Sequence, residues 1–377
     1  MPKMKCYLTT PVFREIANHP KVSMKKKERI LELWNRLEEA TNLKVSDKRF
    51  PSNCDIEETI RNWGAHIIGC HLSHPISSEM LKDSNVIAVC TSTAGYNHIA
   101  QEPGILITHT PGVLHHTVAD FTISVILANL RNIVELHNYV WNGDWQAGQK
   151  WDLDENINQT IENLTLGIVG LGEIGKELVK RLYPWGIKIV YNDIQPQEEI
   201  EKKYSRIQFY DSLEALFAQS DIVSLHVPLM KSTYHLVGEE LLKKMKKGAL
   251  LVNTARGPIV DFQALLKLLE NKEIEINLSF DVYEQEPIDD STLERFKNVV
   301  TQNPFLRFIF IPHNASADSE TRAKMAIMIL EDMISIAESN SGEDLSSIRL
   351  IPEQRKLRDE KKYYNFKINN MWGNKKN

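Results

Sequence analysis

Apolar and polar positions along the chain alternate between two rhythms almost from the start. The short apolar runs "KCYLTT", "AHIIGCHL", "VIAVCTS" and "ILITHT" have the length of buried strands, and helical patterns lie between them. In "ERILELWNRLEEA" Ile30, Leu31, Leu33, Trp34 and Leu37 recur on one helical face. A "TPG" at residues 110–112 interrupts the series, and a long helix is predicted from Val118 to about Val140. The polar, tryptophan-rich stretch "WNGDWQAGQKWDLDENINQ" reads as a loop whose large aromatics pack onto the body. From Leu164 a second series begins. "LTLGIVG", "IKIVYND", "RIQFY", "DIVSLHV", "ALLVNT", "INLSFDV" and "FIFI" are seven strand candidates, the number and order of one doubly wound domain. Strands alternating with helices predict an α/β chain with parallel sheets.

Composition narrows the function classes. A length of 377 residues accommodates two medium domains, and a 25% charged, 42% hydrophobic make-up is that of a soluble globular protein. A net charge of -5 offers no basic face for nucleic acid or for an anionic membrane. The start "MPKMKCYLTTP" lacks an apolar signal-peptide core, and "FTISVILANL" is too short to span a bilayer, so a cytoplasmic protein is expected. Cys6, Cys54, Cys70 and Cys90 lack CxxC spacing and read as buried thiols in a reducing compartment, with no metal site. The segment from about Ser341 is basic and polar, with Tyr363, Tyr364, Phe366 and Trp372 interspersed. It reads as an arm lying on its own body or on a partner subunit.

Chemistry concentrates in the second series. "LTLGIVGLGEIGKELVKRL" sets Gly170, Gly172 and Gly175 as G-x-G-x-x-G between a strand and a helix whose apolar face is Ile174, Leu178, Val179 and Leu182. The first glycine permits the tight turn, the second lets backbone approach a pyrophosphate, and the third allows helix and strand to pack closely. The helix N-terminus attracts the negative charge. Asp193 ends the next strand, where a carboxylate accepts hydrogen bonds from the adenosine ribose and repels a 2'-phosphate, so NAD is expected over NADP. Three later strand ends bring Arg256, then Asp281 with Glu286, then His313. A guanidinium grips a carboxylate with two prongs, and a carboxylate beside an imidazole favours the charged form that general acid–base chemistry uses. A histidine ending a strand is by itself more often structural than catalytic; these partners are what mark His313. The "STAGYN" turn adds backbone N–H groups around Ala94 and Gly95 that suit an anion.

These motifs, together with "TPGVLHHTVADFT", "LHVPLMKSTYHLV", "NTARGPIVD", "FDVYEQEP" and "PHNASAD" in this order, resemble the D-isomer-specific 2-hydroxyacid dehydrogenases, and the glyoxylate/hydroxypyruvate reductase branch most. The match runs from about Ala65 to Ala337. The resemblance implies a Rossmann cofactor domain, residues 111–312, inserted into a flavodoxin-like substrate domain of residues 1–110 and 313–345, with the active site in the cleft and 346–377 as an added tail. It implies catalytic roles for Arg256, Glu286 and His313, and a substrate-carboxylate seat at Ala94 and Gly95. It implies cofactor contacts from Gly170, Gly172, Glu173, Ile174, Gly175, Asp193, His226, Val227, Pro228, Thr233, Thr254, Ala255 and Asp281. The expected reaction is reversible hydride transfer between NAD(H) and a small 2-oxo or D-2-hydroxy acid, in a homodimer that binds neither nucleic acid nor membrane. The sequence departs from the family where Thr93 stands in place of a glycine, where "TQNPFLRF" lengthens the approach to His313, and in "MKKKERILELWNRLEEA". Two alternatives share the fold: formate or phosphite oxidation, and NADH sensing by a corepressor-like binding protein. Glu286 opposes the formate reading, since that branch resembles this chain but has glutamine there.

Overall fold

The apolar runs become two separate parallel sheets. The computed structural model describes residues 3–150, 152–359 and 366–370. Residues up to Leu114, together with those from Ala317 on, form one unit, and His115–Ser316 form the other.

In the first unit β1 (Lys5–Leu8), β2 (Asn42–Val45), β3 (Ile67–Cys70), β4 (Ala88–Thr91) and β5 (Leu106–Thr108) lie in the order β2-β1-β3-β4-β5, all parallel. That is the flavodoxin-like order. Strand alternation divides the core: Cys6, Leu8, Ile67, Ala88 and Cys90 face one side, and Tyr7, Ile68, Val89 and Ile107 the other. The helix Met24–Ala40 packs against the helix Ser319–Glu338, burying Ile30, Leu33, Trp34 and Leu37. Leu31, expected on that face, stays 42% exposed. Ion pairs Lys26–Glu320, Arg29–Glu331 and Arg36–Glu338 run along the edge of the contact.

The second unit holds β6 (Thr165–Val169), β7 (Lys188–Asn192), β8 (Ile207–Phe209), β9 (Ile222–Leu225), β10 (Leu250–Asn253), β11 (Asn277–Phe280) and β12 (Phe308–Phe310). Their order, β12-β11-β10-β9-β6-β7-β8, reverses direction between β6 and β9, the switch point at which doubly wound sheets bind dinucleotides. Apolar residues fill both faces.

Several expectations change. The helix predicted over Val118–Val140 is two helices, His115–Leu130 and Ile133–Trp141, bent by 64°. Asn132, left-handed at φ 53°, makes the break. Trp141 and Trp145 do not pack on the body but stand 79% and 62% exposed. Cys6, Cys70 and Cys90 are buried thiols, whereas Cys54 is exposed. The boundaries between units fall after Leu114 and Ser316, not at 110 and 312, so His313 belongs to the dinucleotide unit. Backbone bonds from His313 N–H to Asp281 O and from Ile311 N–H to Phe280 O keep that segment on β11. The tail bears on its own unit through buried Leu350, Ile351, Phe366 and Ile368. Tyr363, Tyr364 and Trp372 lie outside the described residues. Among those described, no single helix is long and apolar enough to cross a membrane.

Candidate active site

The glycine turn has the shape that its sequence predicts. Gly170 sits at φ +93°, and a Cβ there would come within 2.9 Å of the His226 carbonyl group and the Val227 side chain. A Cβ on Gly175 would meet Gly170 O at 2.6 Å, so strand and helix are in direct backbone contact. A Cβ on Gly172 would meet nothing within 4 Å, which leaves open approach to the N-terminus of the helix Glu173–Leu182. Glu173 is exposed and Ile174 partly so, while Gly175, Leu178, Val179 and Leu182 are buried. These residues fit a dinucleotide: two glycines close the turn from within and the third clears the space where a pyrophosphate meets the helix. Asp193, just past β7, accepts the Leu171 N–H at 2.9 Å and the Ile194 N–H at 2.7 Å, so its carboxylate is oriented at the rim of the turn.

His226, Val227 and Pro228 follow β9. The His226 ring faces inward, within 2.7 Å of Ser224 Oγ, and burial pushes its pKa down to about 3, so it is a neutral packing group. Its carbonyl, not its ring, borders the glycine turn. The Thr233 hydroxyl donates to Pro228 O at 2.6 Å and closes that turn, and Thr254 Oγ1 lies buried 3.0 Å from Thr122 Oγ1. Ala255 N–H donates to Asn253 Oδ1 at 3.0 Å.

Arg256, Glu286 and His313 follow the ends of the adjacent strands β10, β11 and β12. His313 Nδ1 lies 2.6 Å from Glu286 Oε2, and Tyr283 N–H donates to Glu286 Oε1 at 3.1 Å. Burial works to raise the Glu286 pKa, but the His313 bond and charge, the Tyr283 amide and Arg256 outweigh it and hold the carboxyl below its usual range. Arg256 donates to Ala255 O at 2.6 Å; burial works against its charge and the nearby Glu286 carboxylate supports it. The Arg256 and Glu286 loops touch through backbone, since a Cβ on Gly257 would fall 1.8 Å from Tyr283 O.

His313 is itself left-handed, at φ 49°. Asp281, 1% exposed, explains how that conformation is held: its two oxygens accept the Asn314 and Ala315 N–H groups at 2.6 and 2.8 Å. Burial raises the Asp281 pKa against those two bonds. This clamp on the His313 turn is a role the sequence reading missed; an acid five residues before Glu286 in "FDVYEQEP" was its only trace.

In the other unit the Ala94–Gly95 turn follows β4. Thr93, in place of the usual glycine, donates its hydroxyl to Gly95 O at 2.6 Å. Among the described residues, His115, His116 and Glu177 bring possible metal-ligand atoms within 4.8 Å of one another. The Arg181 guanidinium already pairs with Glu177 there and lies 3.3 Å from His116 Nδ1, where a cation would sit.

Comparison with known proteins adds to this geometry. Residues 123–306 match the model of the D-isomer specific 2-hydroxyacid dehydrogenase NAD binding domain. Glyoxylate reductase of Thermofilum pendens is 40% identical over 292 residues, covering 76% of this chain and 82% of that enzyme. The chain belongs to the D-isomer-specific 2-hydroxyacid dehydrogenase family. Within that family, glyoxylate/hydroxypyruvate reductase B of Yersinia pestis is 35% identical over 258 residues, 66% of this chain and 74% of that one. The crystal structure of a glyoxylate reductase from Paecilomyes thermophila superposes with a TM-score of 0.73 at 27% identity, covering 94% of this chain and all of the other. A D-2-hydroxyacid dehydrogenase is an NAD(H)-binding oxidoreductase, which the glycine turn and the Rossmann strand order of this chain match.

Proposed function

We propose that the chain reduces small 2-oxo acids, glyoxylate and hydroxypyruvate foremost, with NADH in preference to NADPH, as a cytoplasmic homodimer. The observation that carries the reading is the His313–Glu286 pair at 2.6 Å, with the Arg256 charge interacting with Glu286. NADH, when bound over the glycine turn, supplies the hydride for the carbonyl carbon. Arg256 is the group to grip a substrate carboxylate and polarise the keto oxygen, and the Ala94–Gly95 amides are the anion seat that the other unit offers to a 2-oxo acid. His313 donates its proton to the developing alkoxide, and Glu286 stabilises the imidazolium that does so. In the reverse direction neutral His313 takes the hydroxyl proton. Asp281 supports this chemistry by fixing the His313 turn and, with NADH bound, would be one of the residues that hold the nicotinamide.

For the cofactor preference the support is Asp193, whose oriented carboxylate repels a 2'-phosphate; "NDIQPQEEIEKK" offers no immediate arginine to compensate. For the dimer it is a run of exposed apolar side chains on and after the helix Ile133–Trp141. Val140, Trp141, Trp145, Leu153 and Ile157 are all more than half exposed, and a second copy is the natural cover for such residues. Four unpaired cysteines suit a reducing cytoplasm.

The test is a panel of 2-oxo acids assayed with NADH and NADPH, with His313→Ala as control. Turnover of glyoxylate or hydroxypyruvate that falls roughly a hundred- to ten-thousandfold in the variant, with NADH binding intact, supports the reading. Tight NADH binding without turnover of any 2-oxo acid overturns it in favour of a sensor.

A further inference from the structure

Three successive carbonyls of the turn after β4 are each claimed from inside their own unit. Thr93 O accepts Thr110 N–H at 2.9 Å, Ala94 O accepts from His109 Nδ1 at 2.8 Å, and Gly95 O accepts the Thr93 hydroxyl at 2.6 Å. In a trans peptide the next N–H points opposite to the carbonyl. The amides of Ala94, Gly95 and Tyr96 therefore turn away from those donors, and none of them has a hydrogen-bond partner among the described residues.

Of the three donors, His109 depends on a residue far along the chain. It is 6% exposed, and burial first, then the Arg355 charge, lowers its pKa against the Ala94 O bond, so the ring is neutral and carries one N–H. Arg355 Nη2 lies 3.1 Å from His109 Nε2. A guanidinium only donates, so its presence requires a lone pair on Nε2 and places the proton on Nδ1, facing Ala94 O. The opposite tautomer would set the Nδ1 lone pair against that carbonyl.

Arg355 is itself fixed, its Nε donating to Leu350 O at 2.8 Å. Two residues before it, Glu353 receives the Tyr96 hydroxyl, 3.0 Å from both carboxylate oxygens, and the Tyr96 ring meets His109 edge-on at 5.5 Å. The helix Pro352–Asp359 that carries both charges is anchored along β5. Leu350 bridges Thr108, Ile351 N–H donates to Ile107 O, and the Gln354 amide bonds the backbone of Ile105 and Ile107.

We propose that this C-terminal helix is a positioning element of the substrate site: Arg355, acting through His109, and Glu353, acting through Tyr96, aim the Ala94–Gly95 amides at the substrate carboxylate. The proposal rests on the reading that those amides seat a 2-oxo acid. It gives the tail a role in recognition, with hydride transfer left to Arg256, Glu286 and His313.

The test uses the full chain and four readouts: KM and kcat for glyoxylate, Ki for oxamate (a non-reducible isostere of a 2-oxo acid), NADH affinity and Tm. In Arg355→Leu, KM and oxamate Ki rise together by roughly three- to fifteenfold, the span of one lost hydrogen bond. The other readouts stay near parental values. Arg355→Gln keeps an N–H donor and recovers most of the loss, and Glu353→Gln, which keeps an acceptor, shows a smaller rise of the same kind. On a His109→Ala background Arg355→Leu adds nothing further, because the two act as one unit. Parental KM and Ki in folded Arg355→Leu and Glu353→Gln proteins overturn the proposal. So does a rise in KM that adds in full on the His109→Ala background, or one that appears only with a parallel fall in Tm and NADH affinity, which describes a staple and no more. A parent enzyme that turns over no 2-oxo acid sinks the proposed function instead, and that result is separate from any of these.

Discussion

Replacing Glu286 with Gln keeps the side chain's shape and removes its charge, which isolates the electrostatic part of the His313 pair. The two side chains meet at 2.6 Å and are 26% and 33% exposed, so the contact is screened only in part. A hydrogen bond to a charged group contributes about 1.5–3 kcal/mol. At about 1.4 kcal/mol per tenfold, its loss costs roughly ten- to a hundredfold in the step that uses the imidazolium. The direction follows from the roles. Reduction needs the imidazolium, which is present at low pH and lost as pH rises, and without the carboxylate it is lost earlier. The falling limb of kcat/KM for reduction therefore moves to lower pH, and near neutrality the rate drops roughly ten- to a hundredfold. Oxidation of the hydroxy acid, which needs the neutral ring, suffers less at that pH. Because the Glu286 carboxyl is held below its usual range, it stays charged throughout, and the limb is not its own titration. The assay is kcat/KM in both directions between about pH 5 and 9, with NADH affinity measured alongside. A variant whose limb stays at the parental pH, or whose loss is equal at every pH, refutes the pairing.

Asp193→Ala narrows the preference for NADH over NADPH, measured as the ratio of kcat/KM values; equal use of both cofactors by the parent enzyme contradicts the role given to Asp193. Gly257→Ala places a methyl where Tyr283 O already lies, 1.8 Å away, so the Arg256 and Glu286 loops must part. It lowers Tm and costs roughly a hundredfold in kcat/KM, at the upper end of the 1–3 kcal/mol of ordinary overpacking. Asp332 is 2% exposed, and burial raises its pKa to about 7 against the Arg349 pair. An acid raised in this way stabilises the fold below its unfolded pKa and loses that contribution as pH rises through about 7. Parental Tm therefore falls between about pH 4 and 7 and levels off above, and Asp332→Asn flattens that slope. Trp141→Lys places a charge among the exposed apolar side chains and shifts the molar mass measured by light scattering from dimer towards monomer, with a monomeric parent refuting the assembly.

Strands and glycine turn were legible because their signals are local. An apolar run bounded by turn residues has few alternatives, and G-x-G-x-x-G with its flanking strand and helix fixes backbone shape within a few positions. β2 escaped notice because "NLKV" lies at the sheet edge with Asn42 and Lys44 exposed, so it carries no apolar run. The break at Asn132 escaped because neither glycine nor proline marks it; asparagine tolerates the left-handed region without announcing it. The site residues Arg256, Glu286 and His313 were named by motif, but what holds them was not. Asp281's grip on the Asn314 amide spans 33 positions, and Arg355 reaches His109 across 246. Hydrogen bonds of that range leave no periodic trace. The exposed tryptophans show the opposite limit, since burial cannot be read from residue type alone.

The glycine turn, Asp193, Arg256, Glu286 and His313 all come from one uninterrupted stretch, His115–Ser316, while the Ala94–Gly95 turn and the helix that braces it come from the two flanks. The strand ends that carry Arg256, Glu286 and His313, and the turn with its C-terminal helix, are thus separable inheritances within a single gene. Recombination at the two crossings exchanges the flanks as a pair and leaves His313 and Glu286 in register. A lineage can then change which acid is accepted without rebuilding how it is reduced, and because the brace is encoded at the far end from the turn it supports, both flanks must be inherited together.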